Sequence, residues 1–365
     1  MRRLHLAAIA VIGFSCPVLA LSLASYRSAE TSLSDAQIAF AYRYYDDAAT
    51  PVVDANSGNL SARYDWLVDS PNLGLSLAAA CDFALSGFIP TAWLGRATGT
   101  VRLYPWEENL FFLFGGVESA AARGLPHVGL DARAGLGVGR FTDVTPLAKA
   151  MEMTAWLAAS QAVPANLSDD VVLAVARLIE RAGEYASMAD LVRDIQAVVE
   201  FGAGVPLDAR ALLKIESIVS SRGRERRSGW AVQGGVGYEL LDPYGEAQDA
   251  VYAGAADAAL AAGPDDQFLF HASYSGPFAA LDENTLIGAA SYVLDFAPGA
   301  SLSVGYALTR VKPAGLAASV AQEASLGLAF AVSFGSLGLQ VSVLQESGDP
   351  GWSIDVSMSA ALDLL

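Results

Sequence analysis

The chain ends in GWSIDVSMSAALDLL. Trp352, Ile354, Val356, Met358, Ala360, Leu362 and Leu364 share one parity, while Ser353, Asp355, Ser357, Ser359 and Asp363 share the other. A clean period of two is a β-strand with one apolar face and one wet face, and this one is longer than most soluble strands. Something apolar and broad must cover the even face.

The same alternation recurs almost everywhere outside the middle of the chain. Ile38, Phe40, Tyr42 and Tyr44 alternate with Ala39, Ala41 and Arg43, and Leu60, Ala62, Tyr64 and Trp66 alternate with Ser61, Arg63 and Asp65. Residues 128–138, 230–240, 268–274 and 292–296 repeat the pattern. Such segments number about fourteen, with twelve as the smaller count, and each approaches the roughly ten residues that a tilted membrane strand requires. The uncharged run 326–344 is long enough for a membrane helix, but its apolar residues alternate on either side of Gly335-Ser336, which reads as a hairpin. Short links (Ser70-Pro71-Asn72, Gly263-Pro264-Asp265, Pro298-Gly299, Gly335-Ser336) take turns with longer ones such as residues 46–58, 241–249 and 280–284.

Composition agrees with a membrane barrel and excludes other classes. Hydrophobic residues make up 53% of the chain and charged residues only 17%, with a formal charge of −17. A nucleic-acid binder would show a basic face instead. Residues 1–20 have a charged start, an apolar core and a small-residue site at Val18 and Ala20, the pattern of a secretory signal peptide. Cys16 lies within that segment, where lipidation is the minor reading; without it Cys81 has no disulfide partner.

Signal peptide, meander and alternating terminal strand together resemble the porin-like β-barrel proteins of Gram-negative outer membranes. The resemblance covers residues 30–142 and 229–365. It implies a mainly β fold, a closed antiparallel up-and-down transmembrane barrel, and location in the outer membrane. It implies as partners the membrane lipid and the envelope's assembly and chaperone machinery. Members often end in an aromatic residue, and this chain ends in Leu365. A soluble sandwich, with the even face against a second sheet, is the structural alternative.

The middle, residues 143–228, reads as an α-helical insert between the sixth and seventh strands. The period changes to about 3.6 at Thr145-Pro146-Leu147, with Thr145 as N-cap and Pro146 in the first turn. A second helix starts at Ser168, and two more run near 188–201 and 207–221. Strand parity puts the insert on the short-turn side, in the periplasm, where it could hold a partner.

Sorting the inward parity by charge gives one constellation. Arg43, Arg63, Arg96, Arg102 and Arg133 all lie in the first six strands, interrupted by Asp65, Asp82, Glu118 and Asp131. Glu239, Asp257, Asp295, Glu323, Asp355 and Asp363 occupy the later strands, with no arginine of their parity expected among them. A basic wall facing an acidic one sets up a transverse field suited to dipolar or charged solutes. The competing reading is that these groups pair and plug the lumen.

Catalysis has little to stand on. The mature histidines are His127 and His271; Ser273 and Ser275 share the parity of His271, but no G-x-S-x-G motif occurs. His271 is better read as a lumen polar group. No metal spacing is present, and GLGVGR reads as a strand with lumen-facing glycines rather than a phosphate loop. No cofactor is called for. The run Arg222, Arg224, Arg226 and Arg227 ends the last helix, where contact with anionic headgroups and a solvated helix end are the two readings.

Overall fold

The computed structural model describes residues 22–23, 26–28, 31–45, 55–106, 110–164, 166–221, 225–245, 248–297, 299–332, 335–347 and 351–363. Fourteen strands are present among them. The first six are β1 (Thr31–Tyr45), β2 (Ala55–Asp69), β3 (Leu73–Ser86), β4 (Ile89–Leu103), β5 (Phe111–Ala122) and β6 (Gly129–Asp143). After four helices come β7 (Arg227–Leu241), β8 (Ala250–Leu260), β9 (Asp266–Pro277), β10 (Asn284–Ala297) and β11 (Ala300–Lys312). The last three are β12 (Ser319–Val332), β13 (Gly335–Glu346) and β14 (Ser353–Asp363). Every strand pairs antiparallel with its neighbours in sequence, and β1 pairs with β14 to close the barrel.

Register confirms the parity read from the sequence. Leu328 lies opposite Leu302 and Leu339, and Val341 opposite Val356, so large apolar side chains form continuous rows. These rows face outward: Phe330 is 50% exposed and Val356 64%. Burying such a belt in hydrocarbon is what the alternation of the terminal strand called for, and closure pairs the backbone groups that lipid cannot satisfy.

The helices are α1 (Thr145–Ala159), α2 (Asp169–Glu180), α3 (Met188–Ala203) and α4 (Ala209–Ser220). They enclose their own core, in which Leu147, Leu157, Val175, Ile195, Val199 and Ile215 are fully buried. Thr145 is not the N-cap of α1: it is the first helical residue, its N–H donates to Asp143 Oδ1 at 2.8 Å, and its own hydroxyl accepts from Arg226 N at 2.8 Å. Asp208 and Ser187 cap α4 and α3 by accepting from Ala211 N and Asp190 N.

Three attachments hold the insert to the barrel. Residues 143–145 and 225–227 run side by side as a neck, tied by Val144 N to Arg226 O at 2.8 Å. Leu23 and Tyr26, which precede β1, are buried in the helical core, and Tyr26 and Ser28 both donate to Glu180, at 2.8 and 2.6 Å. Ala261, between β8 and β9, joins the same core.

The expected division into short and long connections holds with two exceptions. On the rim away from the insert, β3 and β4 are joined by Gly87-Phe88 alone, at φ of 57° and 65°, a turn with two left-handed residues. On the insert rim, β4 and β5 are separated by residues 104–110. Gly335-Ser336 is not a turn but the start of β13, with Gly335 opposite Val332.

Candidate functional site: a constriction in the lumen

At the insert rim β6 outruns β5. Phe111 lies opposite Val138, and beyond that point β6 continues to Asp143 paired only with β7. Freed from β5, the end of β6, still paired with β7, leans across the mouth towards β1 and β2. Asp143 N donates to Thr31 Oγ1 at 3.0 Å, and Arg140 donates from Nη2 to Pro71 O at 2.8 Å while its Nε lies 3.6 Å from Asp69 Oδ1. Gly139 and Gly229, at φ of +127° and +135°, make the bend, in a conformation that a side chain resists.

Beneath the bend the lumen is packed. Phe112 stands on the inward parity of β5 and has no exposed surface; Tyr104 is 3% exposed and Phe141 6%. Ala231, Ala259, Leu67, Phe114 and Leu269 complete the cluster. A side chain facing either lipid or an open pore would be exposed in the isolated chain, so a fully buried Phe112 means that the interior is filled there. The rings meet edge to face, Tyr104 to Phe112 at 5.7 Å and Phe112 to Phe114 at 6.5 Å between centroids. Arginines lie over them: Arg140 is 3.9 Å from the Tyr104 centroid, Arg102 5.3 Å from Phe112 and Arg227 5.8 Å from Phe141. Tyr104 Oη donates to Asp69 Oδ2 at 3.2 Å.

Elsewhere the inward face is open. Arg63, Arg96, Asp35, Asp65, Ser303 and Asp355 are all exposed, although strand parity turns them inward. Towards the far rim a cavity of about 160 Å³ is lined by Asp131, Arg133, Ser275, Glu283, Asn284 and Lys312, among others.

The sequence-derived positions divide as follows. Arg133 pairs with Glu118 at 2.7 Å and lies 3.6 Å from Asp131, so it is compensated within its own wall. Glu239 faces Asp131 in register. Asp257 and His271 are register partners joined at 2.7 Å. Glu323 lies opposite Ala307 and is half-buried. Arg43 and Asp363 lie in register with Ser57 and Gln37, and their side chains fall outside the described set.

Two expectations need correction. Arg226 does not reach headgroups: it is 4% exposed, with Nη2 2.5 Å from Asp295 Oδ2 and Nε donating to Pro264 O at 3.2 Å. Asp295 is therefore the buried anchor of the neck rather than a free lumen charge. Arg227 is the first residue of β7 and shares the inward parity of Ala231 and Gln233, with Asp257, Asp65 and Glu225 around it, so the later strands do carry an inward arginine. Arg222 and Arg224 lie outside the described residues. Beside the neck, desolvation and then the charges of Asp143 and Asp35 push the Glu225 carboxyl up to about 7.

Tyr104, Phe112, Phe114, Arg140 and Phe141 were not singled out by parity or charge. One signal was present: in FFLF, residues 111–114, both parities are apolar, as in a strand buried on both faces.

A closed antiparallel barrel, apolar outside and reached by water within, is a membrane-spanning barrel of the bacterial outer-membrane type. The chain matches no protein-family model and no curated protein. Among solved structures it is similar to the outer membrane channel DcaP of Acinetobacter baumannii, with 10% identity, a TM-score of 0.38, and coverage of 93% of this chain and 100% of that one. It is similar also to a BenF-like porin from Pseudomonas fluorescens Pf-5, at 8% identity and a TM-score of 0.36 over 91% and 98% of the two chains. A bacterial polysaccharide outer membrane secretin gives 11% identity and a TM-score of 0.28 over 91% and 99%.

Proposed function

We propose that the protein is a porin-like diffusion channel for small polar solutes, with the insert rim facing the periplasm and the constriction setting what passes. The observation that carries this reading is the exposure of inward Arg63, Arg96, Asp65 and Asp355: water reaches the interior beside the packed cluster. Carboxylates outnumber arginines on the inward parity, so a weak cation preference is expected at low salt. It should fade as the screening length falls to about 8 Å at physiological ionic strength. Reversal potential across a salt gradient in a planar bilayer tests it. A stable conductance with a cation-sided potential is expected, and a silent bilayer would sink the channel.

A second reading has its own support. Phe112 is fully buried in the lumen, and Phe201 at the end of α3 is 92% exposed. An occluded barrel that anchors the helical insert for a periplasmic partner would show both features and no current.

A further inference from the structure

Of the fourteen seams in the barrel wall, thirteen are paired along ten or more residues, and the seam between β1 and β14 along four, Gln37 to Phe40 with Asp363 to Ala360. Both strands run on past that point. β1 continues through Tyr45, held by β2 from Ala41 opposite Asn59 to Tyr45 opposite Ala55, while β14 is held by β13 from Ser353 opposite Leu344 to Ser359 opposite Gly338. Continued in register, Ala41 would meet Ser359 and Tyr45 would meet Asp355, yet no such pair forms among the described residues. The seam is split there. At about 3.3 Å per residue, the five unpaired residues of β1 open about 16 Å of strand towards the far rim.

The split lies within the apolar belt. Ile354, Val356 and Met358, on the lipid-facing parity of β14, are 71%, 64% and 77% exposed, against 52% and 42% for Leu337 and Leu339 on β13, the excess that a missing neighbour strand leaves. Backbone left unpaired at membrane depth is tolerated beside water, and water is at hand, since Ser57, Asn59, Gln340 and Asp355 are exposed on the inward parity around the split. Wet lumen and hydrocarbon therefore meet along one slit. The other end of β1 is clamped: Asp143 N donates to Thr31 Oγ1, and Tyr26 and Ser28, just ahead of the strand, donate to Glu180 of the insert. Pairing fails only away from that clamp.

We infer that the slit is a lateral port, through which a single-chain amphiphile with an uncharged or cationic polar head passes between the lumen and the far-rim leaflet. The head sits among Ser57, Asn59, Gln340 and Asp355, three neutral groups and one acid, and the tail lies against Ile354, Val356 and Met358. The port opens on the far-rim side of the packed cluster, so it does not depend on passage through the constriction. A partner strand added to an open edge is the rival occupant. Lumen water already satisfies both edges without it.

The test uses the full chain reconstituted in vesicles, in a Cys81→Ser background. Ala39→Cys with Ala361→Cys lies in the paired part of the seam and should oxidise to a disulfide; Arg43→Cys with Ser357→Cys, on the same parity across the split, should give a several-fold lower yield. A spin label on Ser357→Cys should collide with both a water-soluble nickel chelate and dissolved oxygen, whereas a label on Ser303→Cys, inward in a fully paired wall, should collide with the chelate and several-fold less with oxygen. Dodecylamine should lower chelate collisions at position 357 several-fold and leave position 303 unchanged; butylamine, with the same head and no tail to speak of, should do neither. Equal disulfide yields from the two cysteine pairs would show a zipped seam and overturn the inference. Equal action of butylamine and dodecylamine would make the place an ordinary lumen cation site and overturn it too, as would a polypeptide crosslinked to position 357 in native membranes. A split seam in barrels that carry no current would sink the channel and keep the port; conducting barrels with a zipped seam would do the reverse.

Discussion

Asp295 shows how a single partner changes what a residue does. On parity alone it is a free lumen charge, yet its side chain is 13% exposed and faces Arg226, itself 5% exposed, at 2.5 Å. Removing one member of a buried pair strands the other, at a cost of about 3 to 5 kcal/mol. Asp295→Ala should therefore lower the denaturant midpoint of the refolded barrel. Replacing the pair together, Arg226→Met with Asp295→Leu, should recover most of the loss. Ion selectivity should be unmoved by Asp295→Asn and should shift with Asp355→Asn, whose carboxylate is exposed. A selectivity change from Asp295→Asn at full stability would return it to the pore wall. The four-arginine run misled for a related reason. Charge density suggested a membrane surface, but Arg226 sits in the neck and Arg227 opens a strand, and only tertiary pairing tells them apart.

Elements were the most legible scale. Alternation with period two survives in nearly every strand because lipid demands an apolar outer row while the inner row is unconstrained. Leu328 on β12 lies between Leu302 and Leu339, whereas Ser325 lies between Gly305 and Ser342. Leu328→Arg should impair assembly, since a charge on the lipid face near mid-bilayer costs about 2 to 4 kcal/mol, and Ser325→Arg should be tolerated. The assay is the fraction of chain that migrates faster unheated than boiled; equal loss in both variants would show the parity to be wrong. The helices were found by period and by their breakers, to within a few residues at the ends. What the pattern could not give is the bend of the paired β6 and β7. Gly135, Gly137 and Gly139 were read correctly as lumen-facing. Their use is a close approach: a Cβ on Gly137 would collide with the Phe112 ring and with Val232 O. Glycine in a strand announces that something comes near without naming it. Likewise the apolar run 111–114 announced a packed inner face, but its partners, Tyr104 and Phe141, come from other elements.

At the scale of the whole molecule the question is which part limits passage, the helical insert or the constriction. The insert is not hung on a free hinge. Its neck is pinned to β1 through Thr31 and to β10 through Asp295, its core takes in Leu23 and Tyr26, and Ala261 holds it to the rim. A domain fixed at several points makes a poor swinging gate, because each attachment would have to open together. The packed cluster, by contrast, is built from barrel residues alone: Tyr104, Phe112, Phe141, Ala231 and Ala259 all lie outside the helices. Replacing residues 146–224 by a short Gly-Ser linker should therefore leave single-channel conductance close to that of the full chain, since the neck pairing of Val144 with Arg226 survives. Phe112→Ala should raise conductance, because it empties a fully buried position of the packed part of the lumen. If the deletion opens the channel and Phe112→Ala does not, the insert is the gate and the cluster merely braces the ends of β6 and β7.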